Sequence, residues 1–240
     1  IPDKQISTYP NYNQYLAATA VVNNEKIVIS WTDSSRDGSE TSIYAKVILF
    51  NGMEETPDFQ VNQYTLNSQD YSDIAALSNG SFVIVWNSYN QLGNGSWDIF
   101  ARIYDPSNNA GNEFSINADL AGDQSFPTVT GLNDGKFVVV WESAGIYCQI
   151  FSDSGSFFGE VFLINQWLSF PFPPKVASLL NGGFVIVWSG SQAGWVDVYG
   201  RIYETAGIPR TSEFKLNNAS ASDCFDPKVT ALADGGFIRS

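Results

Sequence analysis

Short apolar runs recur along the chain at a nearly constant interval, and each run ends in tryptophan. The four tryptophans are Trp31, Trp86, Trp141 and Trp188, separated by 55, 55 and 47 residues. The runs are apolar at consecutive positions, which is typical of a strand buried on both faces. An interval of this size fits a unit of four short strands.

Turn residues and further strand patterns complete each unit. A turn rich in Asn, Asp and Gly precedes each apolar run after the first, as at Asn79-Gly80 and Asn133-Asp134-Gly135. Such a turn predicts a hairpin between the first and the second strand of a unit. The segment 98–104 alternates, with Ile99, Ala101 and Ile103 expected on one side, and predicts a third strand. A short Phe-x-x-Asn segment predicts the fourth.

The pattern predicts an all-β fold, a β-propeller of four-stranded antiparallel blades, because radial repetition protects the edges of stacked sheets. A linear β-solenoid is the alternative. We expect one domain over 1–240, with complete repeats at about 8–62, 63–117, 118–165 and 166–217. The fourth strand of a preceding unit is expected within 3–7, and a partial fifth repeat over 218–240.

Composition restricts the classes of partner that the chain can bind. The chain has 25 acidic and 12 basic residues, for a formal charge of −13, so nucleic acid and anionic membranes should repel it. The apolar runs are too short for membrane insertion. An acidic, histidine-free and tryptophan-rich composition favours an extracellular location. Cys148 and Cys224 are expected to be buried free thiols rather than one disulfide.

The repeat also resembles a known family. The segments Asp123-Gln124-Ser125-Phe126-Pro127 and Asn133 to Trp141 are similar to tandem repeats of very large secreted and cell-surface proteins of bacteria and protists. The resemblance covers nearly the whole chain. It implies an extracellular structural or adhesive module, often in proteins that also carry calcium-binding or cadherin-like modules, and it implies no enzymatic activity.

Histidine is absent, which excludes Ser-His-Asp and Cys-His nucleophiles and weakens typical zinc sites. Glycosidases need only paired carboxylates, so this enzyme class alone survives. The candidate acids are Asp70, Asp73, Asp98, Asp123, Asp197 and Asp223. Several recur at equivalent repeat positions, whereas catalytic residues should be unique to certain blades. We therefore expect no enzyme and no catalytic residue.

Two kinds of modification or metal site remain as hypotheses. The segment 33–40 places Asp33 and Asp37 before a glycine, as calcium loops do, although an acidic solvated turn is the preferred interpretation. Asn79, Asn94 and Asn218 stand in Asn-x-Ser glycosylation sequons.

Three tryptophans lie outside the repeat positions. Trp97 and Trp195 fall in loops between second and third strands, and Trp167 falls in a connection between units. Such residues suit sugar stacking or protein docking, or they cap the core. The preferred function is an extracellular structural or adhesive module, part of a surface or filament, that binds itself or other surface proteins. The alternative is a glycan-binding, lectin-like propeller, and a glycosidase comes third.

Overall fold

The computed structural model describes residues 5–9, 11–117, 121–165, 173–191, 195–218, 224 and 226–239. Over these residues the regular structure is entirely β, with no helix, and hence no helix long and apolar enough to span a membrane. The chain divides into two compact units. Unit 1 comprises Ile1–Ala76 and Gly80–Asp123, and unit 2 comprises Leu77–Asn79 and Gln124–Ser240.

Unit 1 contains two four-stranded antiparallel sheets, and in each the strands pair in chain order. The strands of the first sheet are β1 Gln14–Val22, β2 Lys26–Ser34, β3 Thr41–Leu49 and β4 Phe59–Gln60. The strands of the second sheet are β5 Gln69–Ala76, β6 Phe82–Tyr89, β7 Trp97–Tyr104 and β8 Ala110–Ser115.

Unit 2 repeats the same design twice and adds a two-stranded sheet. The strands of the third sheet are β9 Ser125–Gly131, β10 Phe137–Glu142, β11 Ile146–Phe151 and β12 Phe157–Asn165. The strands of the fourth sheet are β13 Lys175–Ser178, β14 Phe184–Ser191, β15 Val196–Tyr203 and β16 Phe214–Lys215. The pair β17 Val229–Ala231 and β18 Phe237–Arg239 forms the first hairpin of the predicted fifth repeat.

The second strands β6, β10 and β14 are buried on both faces, which confirms the prediction from their apolar runs. Phe137 to Trp141 in β10 are all 0% exposed. The centre of the third strand β7 is also buried on both sides, since Ile99, Phe100 and Ala101 are all buried. In each unit the two four-stranded sheets pack against one another through one apolar cluster.

A β-bulge recurs near the start of the first strand. Leu16, Tyr71 and Phe126, which are 55 residues apart, all adopt a left-handed backbone with φ of 53°, 53° and 56°. The strand pairing shifts register at or beside each of them. A bulge inserts one unpaired residue and re-aims its neighbours. The sequence pattern did not reveal this, because none of the three residues is glycine.

An asparagine after the fourth strand ties this strand to the third. Its side-chain oxygen accepts a hydrogen bond from a backbone N–H of the third strand in three sheets. The pairs are Asn62 with Ile43 at 2.8 Å, Asn117 with Ile99 at 2.6 Å and Asn217 with Val198 at 2.9 Å. The Phe-x-x-Asn pattern therefore marks a structural clamp.

The strand expected within 3–7 is not present over the described part, since residues 5–7 have no strand conformation. This segment is nevertheless attached to the first sheet. Lys46 donates from Nζ to the backbone oxygen of Ile6 at 2.6 Å, and the Thr8 hydroxyl donates to Asp58 at 2.8 Å. Side chains, rather than a ladder of backbone bonds, hold it in place.

Candidate active site

The residue directly after each repeat tryptophan faces the first strand just before the bulge. The facing pairs are Thr32 with Tyr15, Asn87 with Asp70 and Glu142 with Ser125. In the fourth sheet the residue after the tryptophan is Ser189. Glu142 is therefore the one acidic residue at this position in the four complete repeats.

Glu142 ends β10, the central buried strand of the third sheet. Its side chain is partly buried, and its Oε2 atom is buried without a hydrogen-bond partner in the described part of the chain. Burial removes water from the carboxylate without supplying a donor or a cation, and so raises its pKa to about 7. At neutral pH a large fraction of Glu142 is a protonated carboxylic acid.

The turn that follows Glu142 is short. Only 143–145 separate β10 from β11, whereas 90–96 separate the matching strands of the second sheet. Ser143 donates its backbone N–H to Gly145 at 2.8 Å and closes this turn. The carboxyl of Glu142 therefore lies at a sheet end with little loop to cover it.

In unit 1 the matching acid is Asp70. It lies on the first strand of its facing pair, whereas Glu142 lies on the second strand of its own pair. Burial raises its pKa to about 6, and a hydrogen bond from Asn87 opposes that rise. Its Oδ1 atom is buried without a hydrogen-bond partner among the residues that the structure describes. Asp70 was among the sequence candidates, and Glu142 was not. The signal for Glu142 was a departure from the repeat, since among the four repeat tryptophans only Trp141 is followed by an acid.

The recurring acids have structural partners, as their recurrence predicted. Asn117 donates to Asp98 at 3.2 Å, and Asn217 donates to Asp197 at 2.8 Å, so both acids support the asparagine clamp. Burial raises the pKa of Asp98. The hydrogen bond from Lys215, followed by that from Asn217, lowers the pKa of Asp197.

The remaining sequence candidates among the acids hold the backbone or lie outside the described residues. Asp123 accepts the backbone N–H of Trp97 at 3.0 Å. Asp73 accepts the N–H of its neighbour Ile74 at 3.0 Å. Asp223 is outside the described part of the chain.

The three non-repeat tryptophans differ in setting. Trp195 is 48% exposed and precedes β15. Trp97 begins β7, is half-buried, and packs its ring against Tyr89 at 5.3 Å between centroids. Trp167 lies outside the described residues. Trp195 is thus the described member of this set with a largely exposed ring.

The calcium candidates lie within a network of polar contacts. Asp33 is fully buried at the end of β2, accepts a hydrogen bond from the Trp31 indole and lies 3.5 Å from the Arg36 guanidinium. Asp37 accepts from Ser39 at 3.1 Å and from Gln60 at 3.1 Å. The described residues contain no group of three or more acidic or cysteine side chains placed to hold a metal. A calcium site here stays a prediction.

The sequons and cysteines are placed as follows. Asn79 is exposed and donates to Asp153 at 3.1 Å, Asn94 donates to Asp98 at 3.0 Å, and Asn218 is exposed. Their glycosylation stays a prediction. Over the described residues neither cysteine forms a disulfide, and Cys148 is buried whereas Cys224 is half-buried.

Comparison by sequence finds no matching protein-family model and no matching curated protein. Comparison by structure finds several. The alpha-L-arabinofuranosidase ARB93A of Fusarium graminearum matches with a TM-score of 0.61 at 13% identity, over 98% of this chain and 77% of that chain. The alpha-L-arabinanase of Penicillium chrysogenum gives 0.57 at 17%, over 98% and 77%. The microbial sialidase Hz136 gives 0.64 at 12%, over 91% of this chain and 50% of that chain.

These likenesses show the fold. The chain has the β-propeller fold with four-stranded antiparallel blades, which confirms the prediction over the linear β-solenoid. They also correct the functional expectation. We expected a structural or adhesive module without enzymatic activity, and this is wrong, because the three solved structures named above are glycoside hydrolases.

Proposed function

We propose that this protein is a glycoside hydrolase in which Glu142 is the general acid. The observation that carries the proposal is a carboxyl with a pKa of about 7 whose Oε2 atom is buried without a hydrogen-bond partner among the described residues, at a repeat position where Thr32, Asn87 and Ser189 are neutral. A glycosidase needs one carboxylic acid that stays protonated until it donates to the leaving oxygen. Burial keeps Glu142 in that state.

An exposed aromatic ring supports a carbohydrate substrate. Trp195, 48% exposed in the loop before β15, offers a flat apolar face of the kind on which sugar rings stack. The substrate class we propose is an oligosaccharide containing arabinose. Support comes from two of the solved structures that share the fold, an arabinofuranosidase and an arabinanase.

The proposal also includes an extracellular location for the protein. An enzyme that acts on polymeric glycans meets them outside the cell, which agrees with the extracellular location expected from composition. The resemblance of the repeat to repeats of large secreted proteins supports the same location. Glycans, as substrates, are then the partners of this chain.

The first test is a pH profile. Purified protein is assayed against arabino-oligosaccharides and against sialyl-lactose, and kcat/KM is followed from about pH 4 to pH 9. We expect turnover of the arabinosides, with a basic limb falling near pH 7 as Glu142 loses its proton. The absence of turnover on both panels would contradict the proposed function.

The second test separates a general acid from a structural residue. Glu142→Gln should lower kcat on natural glycosides by about 10²- to 10⁴-fold. On 2,4-dinitrophenyl glycosides the loss should be small, because that leaving group departs without a proton. Equal losses on both substrates would show that Glu142 is not the acid. The matched control is Glu25→Gln, an exposed residue.

A glycosidase also needs a second, ionised carboxylate. Asp70, Asp98 and Asp197 are changed one at a time to Asn, and each variant is assayed on both substrate types. The second carboxylate is the one whose loss lowers the rate equally on natural and activated glycosides. The two clamp residues, Asp98 and Asp197, need a parallel measurement of thermal stability, because their loss also weakens the clamp.

A further inference from the structure

Every sheet of this protein has two different faces, because alternate residues of its second strand point to opposite sides. In β6 one side carries Phe82, Ile84 and Trp86, and the equivalent side of each sheet is called face A. The other side carries Val83 and Val85, and the equivalent side of each sheet is called face B. The two faces pack on different neighbours.

Within a unit, face B of one sheet packs on face A of the sheet that follows it in the chain. Three buried apolar clusters show this pairing of unlike faces. The paired residues are Val28 with Ile84, Val138 with Ile186, and Val185 with Phe237. The contact closes face A completely in the second and fourth sheets, where Ile84 and Ile186 are 0% exposed.

Face A of the first sheet is open. Ile27 and Ile29 hold the first and third positions of the apolar run in β2, and both are partly exposed. Val21 lies opposite Ile27 on β1 and is 50% exposed. Ile48 lies opposite Ile27 on β3 and is also partly exposed. These four side chains form an apolar patch where the equivalent positions of β6 and β14 are buried.

The segment before β1 covers the rest of this face, and it holds the place of the end of a fourth strand. Thr8 donates its backbone N–H to Asp58 at 2.9 Å, just as Gln63, 55 residues later, donates its own to Glu113 at 2.7 Å. Gln63 follows the fourth strand β4. Beneath the segment, Lys46 is only 1% exposed. The open patch therefore lies where the first and second strands of a covering sheet belong.

A hairpin of a first and a second strand with an open face B is present in unit 2. Ile238 of β18 is 53% exposed, and Thr230, its partner on β17, is exposed as well. The opposite side of the hairpin already packs on the fourth sheet through Phe237. The residues that match Ile238 in the four other second strands are all 0% exposed. They are Val28, Val83, Val138 and Val185.

We propose that the open face A of the first sheet binds the β17–β18 hairpin of a second copy of this chain. Face B of the hairpin packs on the patch, with Ile238 against Ile27 and Ile29, and so repeats the packing of unlike faces seen within each unit. Removal of these apolar side chains from water drives the association. Because the two faces differ, the contact is heterologous and the copies join head to tail.

Charge opposes this association. The net charge of −13 makes copies repel one another, and this repulsion is screened over about 8 Å in physiological salt. An apolar contact does not depend on ion pairs, so added salt should strengthen the association. An interface made of ion pairs would respond with the opposite sign.

The first test is the mass of the chain in solution. Sedimentation equilibrium and light scattering follow the parent protein from about 1 µM to about 500 µM, at low and at high salt. We expect the mean mass to rise with concentration, beyond that of a dimer, and to rise further with salt. A monomer at every concentration would overturn the proposal, and this is also the result expected if the chain closes both faces on itself.

Two variants test the pairing of unlike faces. Ile29→Lys disables face A and Ile238→Lys disables face B, so each variant alone should associate at least tenfold more weakly than the parent. Their mixture should form a one-to-one dimer and no larger species, because the intact face B of one binds the intact face A of the other. A mixture that stays monomeric would overturn the proposal. Val21→Lys is a second face A variant, at a position that is 50% exposed, should Ile29→Lys not fold.

The control variants change exposed leucines that lie in loops rather than on either face. Leu66→Lys, at a position 63% exposed in unit 1, and Leu180→Lys, at a position 59% exposed in unit 2, should associate like the parent. Losses equal to those of Ile29→Lys and Ile238→Lys would show non-specific association and overturn the proposal.

The association goes beyond the proposed hydrolase activity and is measured without a substrate. Glu142→Gln should associate like the parent, because Glu142 lies in the third sheet and on neither open face. A protein that turns over no glycoside can therefore still form the head-to-tail contact, and a monomeric protein can still be a hydrolase. The two proposals fail on different measurements.

Discussion

Glu142 lies directly opposite Ser125 where β10 pairs with β9. In the second sheet the equivalent pair is Asn87 opposite Asp70, so the acid is on the other strand and has an amide as its neighbour. The amide donates to Asp70 and moderates its pKa, whereas burial acts on Glu142 unopposed. Burial therefore raises the pKa of both carboxyls, that of Asp70 from 3.8 to about 6 and that of Glu142 from 4.5 to about 7, and an amide opposes the rise only at Asp70.

This burial predicts a pH-dependent stability difference. Because the pKa of Glu142 is raised from 4.5 to about 7, the ionised form is disfavoured in the folded state. The cost is absent below pH 4.5, grows between pH 4.5 and 7, and stays constant above. Glu142→Gln should therefore match the parent at pH 4 and exceed it at pH 8. After allowance for partial exposure we expect a gain of about 1 to 2 kcal/mol.

Urea unfolding at the two pH values measures this difference. Glu25→Gln, at an exposed site, is the matched control. An identical effect of Glu142→Gln on the free energy of unfolding at pH 4 and pH 8 would show that burial does not raise the pKa of the Glu142 carboxyl.

The asparagine clamp predicts a large effect from a small polar residue. Asn117 accepts from the Ile99 N–H at 2.6 Å and donates to Asp98 at 3.2 Å, and all three residues are buried. Asn117→Ala removes the acceptor of the buried Ile99 N–H and the donor to the Asp98 carboxylate. It should lower the free energy of unfolding by about 1 to 3 kcal/mol. Asn112→Ala, at an exposed position of β8, should change it by less than about 0.5 kcal/mol. Equal effects in thermal unfolding would refute the clamp.

The left-handed bulge predicts a stabilising glycine. Leu16 is 41% exposed with φ of 53°, a conformation that costs a non-glycine residue roughly 1 to 2 kcal/mol. Leu16→Gly relieves that cost but makes the unfolded chain more flexible, so we expect a net gain of about 0.5 kcal/mol. Val21→Gly is the control, because Val21 is 50% exposed in the same strand and lacks a positive φ. It should lose about 0.5 to 1 kcal/mol, and a loss in both variants would contradict the role of the bulge.

A buried ion pair holds the segment before β1 to the first sheet. Lys46 and Asp58 are each 1% exposed, with Nζ 2.8 Å from Oδ1. Lys46→Met removes one charge, leaves Arg36 as the remaining cation beside the buried Asp58, and should destabilise by about 3 to 5 kcal/mol. Changing Asp58→Leu as well should recover much of the loss. Urea unfolding of the two variants tests this, and a double variant no more stable than Lys46→Met would refute it.

The same pair predicts sensitivity to acid. Burial alone would raise the pKa of Asp58, but hydrogen bonds from Lys46 and Thr8 lower it below the usual value of 3.8. A lowered pKa gives stability that is present above about pH 4 and is lost as the pH falls through the folded-state pKa. The variant without both charges should therefore lose less stability than the parent between pH 5 and pH 2, as measured by acid unfolding.

Most of the fold could be predicted from the sequence, because it depends on repetition. The same signals recur from repeat to repeat, as in the hairpins at Asn79-Gly80 and Asn133-Gly135 and in the second strands buried on both faces. This recurrence removes the ambiguity that a single short segment leaves about its secondary structure. The bulges could not be predicted. Leu16 and Phe126 are not turn residues, so the sequence gives no turn signal at these positions. Strand pairing on both sides of each residue, rather than the residue type, imposes the left-handed backbone.

The candidate active site was hidden for the opposite reason. Recurrence was the criterion for structure, and it placed Asp98 and Asp197 correctly with the clamp. The absence of recurrence distinguishes Glu142, which is the one acid among the residues that follow the four repeat tryptophans. Its burial, however, depends on strand pairing, and no spacing in the sequence reveals an unpartnered carboxyl oxygen.

The bulge gives the first three sheets the same pair of facing positions, and this has an evolutionary consequence. Thr32 and Asn87 occupy the place in their sheets that Glu142 occupies in the third, and both are buried. A single nucleotide change that turns Asn87 into aspartate would introduce a new acid opposite Asp70. Repeat propellers of this design can therefore gain, lose or relocate reactive groups by point mutation, while duplication supplies the spare positions.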